Sequence, residues 1–103
     1  MKFSPTNEIV KMCVQGMAFE EAGQLEEARE HFIQAWNAAT DDHERCLAAY
    51  HVSRRQDHVV DQLRWLEIAV DLALRVDDVA VRPAFAFLYG KIAECHEGLN
   101  DLV

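Results

Sequence analysis

Apolar residues recur at three- and four-residue steps through most of this chain, the period of helices with one buried side. Ile9, Met12, Cys13, Gly16, Met17 and Phe19 make the first such stripe. Ser4-Pro5 or Thr6 predicts its start, because a hydroxyl accepts first-turn amide bonds and proline lacks the donor orphaned there. Glycine weakens an isolated helix by about 1 kcal/mol relative to alanine, so Gly16 inside the stripe predicts close approach of a neighbouring helix. Ala22-Gly23 predicts the stop, where glycine can turn left-handed. A second helix, from about Leu25 to Ala38, follows at once with Leu25, Ala28, Phe32, Ala35 and Trp36 on its apolar side. So short a connection makes the two antiparallel neighbours.

Asp41 and Glu44 have the spacing of a capping box and predict the start of a third helix. It carries Cys46, Leu47, Ala49, Tyr50 and Val52 and ends before Gln56-Asp57, with Asp57 expected to cap a fourth. The fourth, about His58 to Val76, has one stripe of Val59, Leu63, Leu66, Ala69, Val70 and Ala73 and a second of Trp65, Ile68 and Leu72. Two adjacent apolar faces predict a helix held between neighbours. A fifth begins between Asp78 and Pro83, carries Phe85, Leu88, Tyr89 and Ile92 at i, i+3, i+4 and i+7, and is expected to end at Gly98. The pattern is all-α. It divides into a hairpin over about 6–39, a second over about 41–76 and a single helix over about 79–97, within one domain spanning residues 1–103.

The two hairpins match at an offset of about 33–34 residues, the interval of stacked helical repeats. Cys13 falls over Cys46, Gly16 over Ala49, Met17 over Tyr50, Phe32 over Leu66 and Ala35 over Ala69. Met12-x2-Gln15-Gly16-x2-Phe19 followed by Ala28-x3-Phe32-x2-Ala35 resembles the tetratricopeptide repeat motif. Gln15 departs from the usual leucine, and Thr40 stands where proline is common. The second copy has Gln62 where the first has Ala28, and the third lacks a second helix. The resemblance implies hairpins stacked as a right-handed superhelix whose first helices line a concave groove for a peptide or protein. By that analogy Cys13, Met17 and Glu20, with Cys46, Tyr50 and Arg54, face the groove. The subset of the family that clamps the terminal carboxylate of chaperone tails uses lysines and asparagines on these helices. Apolar or acidic residues stand in most of those places here, which disfavours that ligand.

Composition narrows the choice of partner. Eighteen acidic residues against ten basic give a net charge of -8, which opposes a nucleic-acid or anionic-membrane surface and permits a partner of basic or apolar character without identifying one. No apolar run reaches membrane-spanning length. Three cysteines with no CxxC pair and no leader point to free thiols in the cytoplasm.

Chemistry has few candidates. His51, Arg54, Arg55 and His58 form the one basic cluster and could receive an acidic group. The simpler reading is a solvated helix end that suits the helix dipole. No two histidines have the i, i+4 spacing of a helical zinc site, so no metal is expected. His43 and Cys46 lie three apart, but a catalytic pair needs a lowered thiol pKa and an oxyanion site. Paired acids fall at turns, and no phosphate loop or nucleophile elbow occurs. The expectation is a scaffold with no cofactor and no catalysis, binding a protein or peptide; a weaker alternative is a small enzyme or ligand-binding bundle that uses His43, Cys46 and His51. Phe85, Phe87 and Tyr89 on the unpaired last helix are the expected surface for self-pairing as a homodimer.

Overall fold

The computed structural model describes residues 7–76 and 82–101. Among them lie five helices and no strand: α1 (Glu8–Glu21), α2 (Leu25–Ala38), α3 (Asp42–Arg54), α4 (Val59–Arg75) and α5 (Arg82–Asp101). The protein is all-α. Ser4, Pro5, Thr6 and the turn at Asp77-Asp78 fall outside the described residues, as do Leu102 and Val103.

Local chemistry sets most helix ends. The α1 cap is Asn7, whose side chain accepts bonds from the amides of Ile9 (2.8 Å) and Val10 (3.1 Å). At the other end Gly23 takes φ 78°. The Gly23 amide there reaches the Glu20 carbonyl at 3.0 Å and the Gln24 amide reaches that of Phe19 at 2.9 Å. This pair of reversed bonds satisfies carbonyls the helix leaves open. Asp41 caps α3 through the Glu44 amide at 2.7 Å. The reciprocal bond of the expected box goes one residue earlier, since the Glu44 carboxylate accepts from the Thr40 amide at 2.9 Å.

Besides the α1 cap, which falls on Asn7 and so later than expected, two end assignments differ from expectation. His58, with no side-chain cap bond, precedes α4; Asp57 instead stands 3.9 Å from Arg29. Gly98 does not end α5, which continues to Asp101. Two methyl carbons of Val59 lie 3.9 Å from the place a Cβ on Gly98 would take, so packing against α4 carries the helix through the glycine.

Antiparallel pairing repeats along the chain. In the first hairpin Ile9 and Cys13 meet Ala35 and Ala39, and Gly16 lies against Phe32. In the second, the Cys46 thiol donates to the Ala69 carbonyl at 3.3 Å. Packing of α2 on α3 and of α4 on α5 joins the hairpins and the last helix. Phe32 and Val52 are fully buried at the first of these joints. Trp36 meets Trp65 edge-on at 5.1 Å and links α2 to α4.

The first helices of the two hairpins run parallel, tied at both ends. The Asn7 side-chain amide donates to Glu44 at 2.9 Å. About 15–20 Å further on, by the helical rise of about 1.5 Å per residue, Glu20 meets Arg54 and Arg55. Gly16 and Ala49, the matched small positions, are both buried.

Candidate functional site

Tyr50 and Arg54 are four residues apart and therefore share one face of α3; Phe87 and Lys91 do the same on α5. The two faces meet. Tyr50 stands edge-on to Phe87 with ring centres 5.0 Å apart. The Arg54 guanidinium lies 5.9 Å from the Tyr50 ring centre, and the Lys91 ammonium 5.5 Å from that of Phe87. Each cation sits within the range in which an aromatic face attracts it. Phe87 remains 48 % exposed. The resulting seam offers two positive heads beside an accessible ring.

Behind the seam lies a cavity of about 280 Å³, walled by Tyr50, Ser53, Arg54 and Arg55 from α3 and its end, by Val59, Gln62 and Leu66 from α4, and by Lys91, Glu94 and Cys95 from α5. A second cavity, of about 350 Å³, is walled by Met17, Glu20, Glu21 and Leu25 together with the same Arg54 and Arg55. The two arginines are the partition between them.

Glu20 fixes that partition. Its carboxylate pairs with Arg54 at 2.9 Å and with Arg55 at 2.8 Å, and its side chain is only 9 % exposed. The reading of Arg54 and Arg55 as a solvated helix end is corrected by this geometry. They hold a sheltered carboxylate from a different helix. His51 is no part of a solvated end either: it is 6 % exposed and stacked on Phe32 at 5.0 Å. Burial first, and then the charge of Arg54, push its pKa down to about 4, so the ring is neutral near pH 7. His58 alone of the four is exposed.

The six residues expected along a groove divide accordingly. Met17, 40 % exposed, Tyr50 and Arg54 line cavities. Glu20 lines one too, with its charge already engaged. Cys13 is withdrawn from the surface at 2 % exposure, packed among Ile9, Ala35, Ala39 and Ala48. Cys46 is half-buried and turns its thiol toward α4. Both cysteines fail as groove residues for one reason: each lies on the side of its helix that meets the partner helix.

Among the three aromatic residues of α5, Phe85 is half-buried against α4. Tyr89, on the same face of α5 as Phe85, is 53 % exposed and stacks loosely on Phe85 at 6.4 Å. Leu88 and Cys95 carry the buried side instead.

The thiols are poor nucleophiles here. Burial pushes Cys13 up to about 12 and Cys46 up to about 11, the direction opposite to that of an activated cysteine. Among the described residues no group of three or more histidine, cysteine or acidic side chains is arranged to hold a metal. No helix among them is long and apolar enough to cross a membrane.

The Tyr50–Phe87 seam escaped the sequence reading because its halves lie 37 residues apart. Its one signal was the repeated spacing of an aromatic four residues before a cation. No family model, curated protein or solved structure matches this chain.

Proposed function

We propose that this protein is an interaction scaffold of tetratricopeptide-like helical hairpins, and that it binds a protein segment along the side shared by α1, α3 and α5. One observation supports the reading above others. Contacts between successive odd-numbered helices recur at nearly constant separations: Asn7 with Glu44, 37 residues apart, Glu20 with Arg54, 34 apart, and Tyr50 with Phe87, 37 apart. Near-equal offsets are what a stacked array produces, whereas a closed bundle has no reason to repeat them. Along that side Met17, Arg54 and Phe87 offer an apolar, a cationic and an aromatic contact in succession.

The test is placement of a photo-crosslinking amino acid at Met17 or Phe87, with Leu74 as the exposed control on α4. Adducts with other proteins from Met17 and Phe87, and none from Leu74, are the expected result. Equal adducts from all three positions would remove the groove.

A second reading, a homo-oligomerisation surface on α5, draws on the exposure of both Phe87 and Tyr89. It predicts adducts only with a second copy and a sedimentation coefficient that rises with concentration.

A further inference from the structure

We propose that the seam between α3 and α5 takes an acidic segment of a partner protein, with carboxylates on Lys91 and Arg54 and an apolar side chain against Phe87. This rests on the scaffold reading and names the chemistry of its partner.

Charge is the first argument. The chain has ten basic residues against eighteen acidic, yet Arg54, Arg55 and Lys91 wall a single cavity. Among the described residues two carboxylates pair with these three cations, Glu20 and Glu94. Glu20 engages one nitrogen of each arginine, and a guanidinium has five N–H donors, so donors remain on both. Glu94 holds Lys91 at only 3.6 Å, and its side chain is 68 % exposed. A contact so solvated exchanges readily for a better-placed carboxylate.

Preorganisation is the second. Cations on long side chains lose conformational freedom when they bind. Here Arg54 and Lys91 already lie over aromatic rings that themselves touch edge to face, which lowers that cost.

The exposed ring is the third. Phe87, exposed beside the cations, favours an acidic segment with an apolar residue over a bare polyanion. Arg54 is the basic exception among the groove positions whose apolar and acidic residues disfavour a chaperone-tail clamp, and Phe87 and Lys91 lie outside that set, on α5.

The experiment titrates the full ¹⁵N-labelled chain with an acetylated, amidated peptide of glutamates around one phenylalanine. Matched peptides carry glutamine or lysine in place of glutamate. Saturable shifts of the Tyr50, Arg54, Phe87 and Lys91 amides with the glutamate peptide alone are expected, and most of the effect is lost near 1 M salt, where the screening length is about 3 Å. The ion-pair partner of Lys91, Glu94, is itself exposed, so Lys91→Gln spares the fold and weakens binding by roughly twofold to fivefold; Arg64→Gln, removing equal charge from exposed α4 surface, leaves it unchanged. Equal binding of the glutamine peptide at the seam overturns the acidic preference while the scaffold reading stands. Equal weakening by both variants, or no shift at the seam with any peptide at millimolar concentration, overturns the inference outright, and the crosslinks at Phe87 then judge the scaffold separately.

Discussion

Phe32 fills the space that a side chain on Gly16 would need. A Cβ at position 16 would stand 2.8 Å from Cδ1 and 2.9 Å from Cζ of that ring, closer than carbon atoms pack. Phe32 is fully buried and stacked on His51 at 5.0 Å, so a shift of its ring would disturb that packing as well.

Gly16→Ala therefore destabilises the protein, even though alanine is the better helix former. Overpacking a filled core costs roughly 1–3 kcal/mol, and the gain in helix propensity returns at most about 1 kcal/mol of it. A shift of the urea midpoint to lower denaturant is expected. The clash is specific to the ring, so Gly16→Ala is much less harmful in a Phe32→Leu background. An additive double-mutant cycle would show that the two sites do not share this space.

Glu20→Ala separates α1 from α3. It leaves Arg54 and Arg55 side by side without the carboxylate that holds both. The site lies between an exposed ion pair, worth up to about 1 kcal/mol, and a buried one, whose disruption costs about 3–5 kcal/mol. A loss of roughly 1–3 kcal/mol is expected, with hydrogen exchange rising first at the C-terminal turns of α1 and α3. Unchanged exchange there would show that the pair ties nothing together.

Acidification should weaken the fold from neutral pH downward. His51 is held at about 4 in the folded protein, by burial and then by Arg54, against about 6.5 in an unfolded chain. Below pH 6.5 the unfolded state binds a proton that the native state refuses, so stability is full above that pH and falls until about pH 4. The accumulated loss is on the order of 3 kcal/mol. Glu44 acts in the same direction at lower pH. Hydrogen bonds, first from Asn7 and next from the Thr40 amide, hold its carboxyl below the usual range, and the stability they confer is lost as that carboxylate protonates. Denaturation curves between pH 7 and pH 4 provide the check. His51→Gln should flatten the slope over that interval; an identical slope would place the titration elsewhere.

Thiol chemistry reports on the core. Cys13 and Cys95 are buried, and Cys13 and Cys46 are held protonated well above neutral pH. A thiol-specific chromogenic reagent at pH 8 should react slowly with the native chain and rapidly with all three cysteines in denaturant. Fast stoichiometric reaction without denaturant would contradict the packing of α1 against α2 and α3.

The helices were legible because their signals are local. The periodic stripes gave α2 its bounds, Gly23 closed α1, and Asp41 capped α3, all within a few residues of one another. Glu44 shows where such signals run out. Its spacing from Asp41 announced a capping box, but its carboxylate serves Thr40 and Asn7, the latter on the preceding hairpin. The candidate site was legible only in part. Met17, Tyr50 and Arg54 were named from the sequence, whereas Phe87's contact with Tyr50, and Lys91's place in the same cavity, depend on how α5 settles against α3.

Periodicity by itself determined that this chain is helical, which residues are apolar on each helix, and that position 16 needs a close neighbour. It could not assign each apolar or charged residue to one of several neighbouring helices. That was decided by tertiary packing, which turned Cys13 inward, exposed Tyr89, and brought Glu20 to Arg54 and Arg55. The physical reason is that a helix fixes the direction of a side chain relative to its own axis. Which other helix occupies that direction depends on contacts 30 or more residues away, such as Tyr50 with Phe87, and these leave no mark within either segment.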